Sequence, residues 1–393
     1  HLDAEFLFIR GREPQADNEL TCTYESLIDD LKAGDRVLLA DGMVAMKCVA
    51  TDPTAGFARC VVEGAGTIRS RQGVNLPGVK LSTPSLTEKD RSDLDWAIRH
   101  TIDFVGFSFV RSAEDIRLLR RVIAEYAVEF SPQIVAKIEK GEAVADLDAI
   151  IDETDCVMVA RGDLGVEVDI FKVPGIQKRI IKLCRERRVP VITATQMLDS
   201  MQRSELPTRA EASDVANAVL DGTDAVMLSG ETAAGLFPRE SVAMMSRIVR
   251  EAELMLPEVD FVDDSARSEL QAHAVTEAVA VGTVATARKL GAALIAVATV
   301  SGRSVMAVAK ERSTVPVLAI CATPEIAGKM TLIWGVTPLI SGLTELHVDD
   351  LALVASDWGR QERVLSSGDT VVVLASSRWS TKGHDSMLVH VVE

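Results

Sequence analysis

Ile134–Gly165, IVAKIEKGEAVADLDAIIDETDCVMVARGDLG, is the stretch whose reading decides the fold. Two short apolar runs, Ile134–Ile138 and Cys156–Ala160, have the length and aliphatic content of buried parallel strands, and the segment between them has helical spacing. Charge gathers where each run ends: Lys137 and Glu139 on the first, Arg161 and Asp163 on the second. In a parallel β/α barrel the strand C-termini open into one mouth, so the pattern predicts that these four groups converge there. Two carboxylates, a lysine and an arginine suit a divalent cation beside a phosphorylated anion, and hard oxygen donors favour Mg2+ or Mn2+ over Zn2+.

The same alternation continues on both sides. Strands are expected at Phe104–Val110, Ile134–Ile138, Cys156–Ala160, Pro190–Ala194 and Ala225–Ser229. Helices are expected at Ala113–Phe130, Gly141–Ile151, Gly175–Arg187, Arg209–Leu220 and Pro238–Met255. Before them, Thr87-Glu88-Lys89-Asp90 reads as a capping box that opens a helix running through His100. Five β/α units in succession point to a parallel α/β architecture, three strands short of the eight in a closed barrel.

Residues 1–81 carry short β signals instead. Arg36–Ala40 precedes the turn Asp41–Gly42, and Ala58–Glu63 precedes Gly64–Ala65–Gly66, which predicts a small β-barrel or sandwich. GVNLPG at 73–78 closes this region, its Pro77 and Gly78 suiting a turn or hinge. Leu256–Arg267 (LPEVDFVDDSAR) reads as an acidic linker. Beyond it, a helix at Ala272–Leu290 and strands at Ala293–Ala298, Val315–Ile320, Thr337–Ile340 and Thr370–Leu374 predict a separate three-layer α/β domain. The expected divisions are therefore 1–81, 82–255 and 256–393.

Composition agrees. A chain of 393 residues, 47% hydrophobic but only 4% aromatic, has ample aliphatic core for several domains. Its formal net charge of −16 speaks against a broad nucleic-acid or anionic-membrane surface and leaves room for a local basic pocket. The six cysteines form no C-x-x-C pair, and Cys156 and Cys184 lie in apolar runs that favour reduced, buried thiols, as in the cytoplasm. No apolar segment reaches membrane-spanning length, and no signal-peptide pattern opens the chain, which begins at His1 without methionine.

In order along the chain come GVNLPG at 73–78, FSFVR at 107–111, AKIEK at 136–140, VMVARGDLG at 157–165, PVITATQMLDSM at 190–201 and PTRAEASDVANAVLDGTDAVMLSGETAAG at 207–235. This series resembles pyruvate kinase from the β-rich first region to the C-terminus. The resemblance implies a (β/α)8 TIM-type barrel, a β-rich lid inserted after barrel strand three, and a C-terminal α/β domain. With the chain starting inside the lid, barrel strands one to three are expected upstream of His1. A phosphate-gripping arginine and most monovalent-cation ligands are expected there too. The implied activity is glycolytic transfer of the phosphoryl group of phosphoenolpyruvate to ADP, giving pyruvate and ATP. Mg2+ or Mn2+ and K+ are the implied cofactors, in an allosteric cytoplasmic homotetramer.

The resemblance also implies roles for single residues. Glu139 and Asp163 are the carboxylate ligands of the divalent cation, and Lys137 is aimed at the phosphoryl group and the enolate oxygen. A structural ion pair with Glu139 competes for Lys137, although positions two apart on a strand share the face toward the mouth. Arg161, Gly162 and Asp163 open a short helix whose backbone N–H groups hold the substrate carboxylate, with Gly162 allowing close approach. Thr195 bonds that carboxylate and helps the proton relay, while Ser108 and Phe109 line the substrate floor. In the lid, Asp41 approaches on closure, and Arg71 and Asn75 are candidates for nucleotide contact. Gln72 stands where the family commonly has a lysine. Thr299, Ser301, Gly302, Arg303 and Ser304 form a strand-to-helix loop suited to a sugar-phosphate effector. Two other readings stay open. One is a catalytically incompetent relative, if the polypeptide begins at His1, serving as a sugar-phosphate-binding or assembly protein. The other is a metal-dependent lyase of the phosphoenolpyruvate/pyruvate barrel type, against which TRAE, SGET and the lid speak.

Overall fold

Short aliphatic runs at the start of the chain pair into a six-stranded sheet in the computed structural model, which describes residues 1–393 apart from 41, 129, 257–273, 343–346 and 377–383. Its elements are β1 (Glu5–Ile9), β2 (Glu19–Leu20), α1 (Leu27–Asp30), β3 (Arg36–Leu39), β4 (Val44–Asp52), β5 (Phe57–Gly64) and β6 (Val74–Asn75), in the spatial order β2-β1-β5-β4-β3-β6. Alternate residues of β3, β4 and β5 point inward, so Val37, Leu39, Met46, Cys48, Cys60 and Val62 close the lid core. Leu39 pairs with Val74 of GVNLPG, whereas Pro77 and Gly78 leave the sheet, Gly78 with a left-handed φ of +73°. The turn expected at those two residues is there.

The second sheet is built by α2 (Glu88–Arg99), β7 (Phe104–Phe107), α3 (Ala113–Ala124), β8 (Gln133–Ile138), α4 (Gly141–Ala145), α5 (Leu147–Glu153), β9 (Cys156–Ala160), α6 (Arg161–Glu167), α7 (Val173–Glu186), β10 (Val191–Ala194), α8 (Arg209–Asp221), β11 (Ala225–Met227), α9 (Gly230–Ala233) and α10 (Pro238–Glu253). The strands are parallel and neighbour one another in chain order, β7 through β11, as in a (β/α)8 barrel. The capping box at Thr87 is formed: its hydroxyl accepts from the Asp90 N–H while the Asp90 carboxylate accepts from the Thr87 N–H. Ile134, Ile138, Val157, Val159 and Val191 are fully buried under the helices. Each contributes roughly 1.5–3 kcal/mol of apolar burial.

Two helices differ from expectation. The one expected to reach Phe130 ends at Ala124, because Ala127 adopts a left-handed φ of +47° that no helix continues. The one expected over Gly141–Ile151 is broken at Asp146, whose carboxylate instead accepts the Ala113 N–H at 2.8 Å and so caps α3.

The last sheet follows α11 (Ala274–Leu290): β12 (Leu294–Thr299), α12 (Arg303–Ala309), β13 (Val317–Cys321), α13 (Pro324–Met330), β14 (Val336–Ile340), α14 (Val348–Gln361), β15 (Thr370–Ala375) and β16 (Ser386–Val391). The order is β14-β13-β12-β15-β16, parallel except for β16, an antiparallel edge strand that the sequence reading missed. α11, α12 and α13 pack on one face and α14 on the other, giving three layers. The segment expected as an acidic linker, Leu256–Arg267, lies outside the described residues beyond Leu256.

Lys310 and Arg312, just past α12, reach across to the barrel. Both bond the buried Asp224 carboxylate, at 3.2 and 3.0 Å, and Asp224 also accepts the Val191 N–H that begins β10. Trp334 stacks on the Arg312 guanidinium and donates its indole N–H to Glu253 at 2.9 Å. All six cysteines are free thiols, and burial pushes Cys184 up to about 12, which leaves it protonated and unreactive. Among the described residues no helix is long and apolar enough to cross a membrane.

Candidate active site

The C-terminal ends of β7, β8, β9 and β10 bring the expected residues together. On β8 the pleat turns Lys137 toward the mouth beside Glu139, which follows the strand end. Lys137 Nζ lies 2.6 Å from Glu139 Oε1 and donates to Ser108 Oγ at 2.8 Å. Glu139 is 1% exposed, and its other oxygen accepts the Phe109 N–H at 2.6 Å. Phe109 makes that bond with a left-handed φ of +55°, a strained conformation for an aromatic residue. Phe109 therefore acts through its backbone, and its ring is half-exposed. The ion pair between Lys137 and Glu139, expected only as the competing reading, is present.

From β9 the chain passes directly into α6, as the short-helix reading of Arg161–Asp163 requires. The Gly162 N–H donates to Thr195 Oγ1 at 2.8 Å, and the Thr195 hydroxyl donates to the Ala194 carbonyl at 2.6 Å. Thr195 and Gln196 both hold left-handed φ, +68° and +53°, at the end of β10. Strain at three mouth positions, each fixed by hydrogen bonds nearby, is the pattern of a pre-organised site. The Asp163 carboxylate is half-buried and has no hydrogen-bond partner among the described residues.

Arg161 needs correction. Its guanidinium does not join Lys137 as an anion ligand: it donates to the Thr195 carbonyl at 2.7 Å and the Gln196 carbonyl at 3.2 Å, and pairs with Asp214 at 2.6 Å. A planar donor fork with this many acceptors is committed to holding the strained β10 turn. Within the segment, the carboxylate of Asp163 is left without a hydrogen-bond partner among the described residues, and the Gly162 N–H bonds only the Thr195 hydroxyl.

Other expected residues are more scattered. Asn75 of the lid, Ser108 and Phe109 line one cavity of about 820 Å³ between lid and barrel. Arg71 is exposed with a left-handed φ of +64°, and Asp41 lies outside the described residues. In the C-terminal loop, Thr299 and Ser304 are turned inward. Thr299 Oγ1 accepts the Gly302 N–H at 2.8 Å, and Ser304 Oγ bonds His384 Nδ1 at 2.8 Å, so neither hydroxyl faces outward as expected. Gly302 is buried with a φ of +84°, while Ser301 and Arg303 are exposed.

Three supports escaped the sequence reading. Arg111 donates to the Leu81 and Thr83 carbonyls and to Ser85 Oγ, fastening the chain that returns from the lid. Glu231, 1% exposed, accepts the Leu198 and Ser229 N–H groups and so ties the turn after β10 to the end of β11. Asp214 anchors Arg161 from α8. All three stood inside segments quoted for their resemblance, but no local pattern marks a charged side chain as the partner of a group dozens of residues away.

Glu139 and Asp163 supply two hard carboxylates at neighbouring strand ends, a set that suits Mg2+ or Mn2+ when substrate oxygens complete the shell. No cluster of three or more potential metal-ligating side chains occurs among the described residues.

Family models match most of the chain: "Pyruvate kinase, barrel domain" over residues 9–242 and "Pyruvate kinase, alpha/beta domain" over residues 277–390. A protein of Geobacillus stearothermophilus named pyruvate kinase is 42% identical over 379 residues, 95% of this chain and 63% of its own length. One from Clostridium acetobutylicum with the same name is 41% identical over 392 residues, 99% of this chain and 82% of its own. The crystal structure of a pyruvate kinase from Cryptosporidium parvum superposes with a TM-score of 0.87 at 33% identity, covering 100% of this chain and 79% of that one.

Proposed function

Because the chain belongs to the pyruvate kinase family, we propose that it transfers the phosphoryl group of phosphoenolpyruvate to ADP, yielding pyruvate and ATP. The observation that carries this is the convergence of Lys137, Glu139, Gly162 and Thr195 at the C-terminal ends of three successive barrel strands. Phosphoryl transfer needs positioning and charge stabilisation more than covalent chemistry, and these groups supply both.

The Lys137 ammonium is held at a fixed place by Ser108 and Glu139, where it meets the phosphoryl oxygens and then the enolate oxygen as negative charge grows. The first turn of α6 offers the Gly162 N–H to the substrate carboxylate, which takes over the bond now made to Thr195 Oγ1. The Thr195 hydroxyl, released from that role, orients the carboxylate and the proton path to the enolpyruvate carbon. Glu139 and Asp163 would hold Mg2+, or Mn2+ in its place. When bound, the ion acts as a Lewis acid on the phosphoryl oxygens. K+ is the proposed monovalent cofactor. Arg71 and Asn75 are the proposed lid contacts to the nucleotide, and Ser301, Gly302 and Arg303 the remaining contacts of a sugar-phosphate effector. We take residues 1–81, 82–255 and 256–393 as lid, barrel and regulatory domains of a cytoplasmic homotetramer.

The test is pyruvate and ATP formation by the full-length protein from phosphoenolpyruvate and ADP, with and without Mg2+. Equal amounts of both products, dependent on ADP and Mg2+, are expected. Pyruvate released without ATP would point to a lyase or phosphatase instead and sink the proposal.

A further inference from the structure

Lys140 follows Glu139 directly, and Glu167 lies four residues beyond Asp163, one turn along α6. Lys140 Nζ meets Glu167 Oε1 at 2.5 Å, with the two side chains 10% and 4% exposed. The contact joins the end of β8, which carries one candidate metal ligand, to the last turn of the helix that carries the other. Lys140 Nζ also sits 5.8 Å from the centroid of the Phe109 ring, and it is the Phe109 N–H that holds Glu139.

The two carboxylates are held differently. Glu139 has direct partners in Lys137 and the Phe109 N–H. Asp163 has none among the described residues, so its place is set by where α6 lies. A seven-residue helix without a side-chain cap does not hold its own pose and depends on contacts at its ends. At the first turn those contacts are Gly162 with Thr195 and Arg161 with Asp214. At the last turn the contact is Glu167 with Lys140. A short charge-assisted bond in a dry site is directional, which apolar packing at the same place is not.

We propose that the Lys140–Glu167 pair is a positioning strut that sets the separation of the Glu139 and Asp163 carboxylates, and through it the affinity of the site for a divalent cation. This rests on reading Glu139 and Asp163 as the metal ligands. Neither Lys140 nor Glu167 touches the ion or the substrate in this scheme.

The experiment measures Mn2+ binding directly, by electron paramagnetic resonance of the free ion, on the full-length protein without substrates. Lys140→Met keeps the side-chain volume and removes the charge; it is expected to raise the Mn2+ Kd about 10-fold, the usual effect of losing a partner behind a ligand. Lys140→Arg restores the ion pair and recovers most of that loss, which a merely space-filling role would not require. Glu167→Gln, whose amide still fills the site, provides a second route should Lys140→Met fail to fold, and is expected to weaken Mn2+ in the same direction. Steady-state kinetics should show a raised Mg2+ requirement with the KM for ADP unchanged. Mn2+ binding at the wild-type Kd in both Lys140→Met and Glu167→Gln, while Glu139→Gln loses it, overturns the strut alone. Unchanged Mn2+ binding in Glu139→Gln overturns the ligand assignment and the strut with it.

Discussion

The Gly162 N–H donates to Thr195 Oγ1 at 2.8 Å, so the first turn of one helix and the end of the next strand share a single hydrogen bond at the mouth of the barrel. A methyl group at residue 162 would meet Thr195 Oγ1 at 3.4 Å and Thr195 Cβ at 3.7 Å, which is ordinary contact. Gly162→Ala is therefore expected to fold. Alanine in a helix is favoured over glycine by roughly 0.5–1 kcal/mol, so melting should be unchanged or slightly raised. Under the proposed function the methyl group nevertheless stands where the substrate carboxylate approaches the backbone. Misplacing a reacting group by an ångström costs on the order of 100-fold, and a fall of that size in kcat/KM for phosphoenolpyruvate is expected. Thermal melting with steady-state kinetics checks both halves; unchanged kinetics would remove the α6 backbone from the substrate site.

Lys137 is the only cation bonded to Glu139 among the described residues, and its side chain is 26% exposed. Lys137→Met keeps the aliphatic stem but leaves the buried Glu139 carboxylate without its cation, so a lowered melting temperature with a retained fold is expected. Loss of one fixed donor at developing charge typically lowers kcat by about 100- to 1,000-fold. The expected signature is a kcat loss of that order with a much smaller change in Mn2+ Kd. A mutant that instead loses Mn2+ and keeps kcat at saturating metal would make Lys137 a structural partner of Glu139.

The strands and the charges at their ends were legible because both are local. Ile134–Ile138 and Cys156–Ala160 announce themselves by composition, and a lysine two residues before a glutamate falls on one face of a strand whatever surrounds it. Arg161 shows the limit. Its position at the strand end was readable, but its direction was set by Asp214 and by two carbonyls of the β10 turn. The same holds for Lys140, whose partner is on another helix, and for Asp146, which breaks an apparently continuous helix in order to cap α3. β16 was missed because its pattern, with Met387, Val389 and Val391 on the exposed side, places apolar residues outward.

His384 is expected to make the C-terminal domain sensitive to acid. Its Nε2 contacts the Ala298 carbonyl at 2.5 Å and its Nδ1 the Ser304 hydroxyl at 2.8 Å, an arrangement that suits a neutral ring donating through Nε2 and accepting through Nδ1. Burial lowers its pKa from the ordinary 6.5, against the smaller opposing pull of the Ala298 carbonyl. The unfolded chain therefore binds a proton at higher pH than the folded one. The stability contributed is complete above about 6.5 and is lost as pH falls from there through the lowered folded value. Urea unfolding followed at Trp358, on α14, should show this slope between neutral and mildly acidic pH. In His384→Gln the slope should be absent; an identical slope in that variant would assign the acid sensitivity to another group.

Asp224 is one of the points at which the C-terminal domain meets the barrel. The side chains of Lys310, Arg312 and Asp224 are 6%, 7% and 2% exposed, so two cations share one carboxylate away from water. Arg312 Nε has no partner among the described residues even so. Asp224→Asn removes the only negative charge bonded to either cation among the described residues, and breaking a buried pair in this way costs about 3–5 kcal/mol. The loss should appear as a lowered melting temperature, and simultaneous Arg312→Met should return part of it, because one stranded cation then disappears. Alkaline pH supplies an independent check. Burial pushes Lys310 below its ordinary 10.5, while Asp224 pulls it back up. Between the lowered folded value and 10.5 the unfolded chain holds the extra proton, so this group makes stability rise with pH. Without Asp224 the folded value falls further and the window widens. Asp224→Asn should therefore recover part of its lost stability as pH is raised toward 10.5, relative to wild type. A deficit that stays constant across that range would place the loss in the stranded Arg312 or the Val191 N–H bond and not in the stranded lysine.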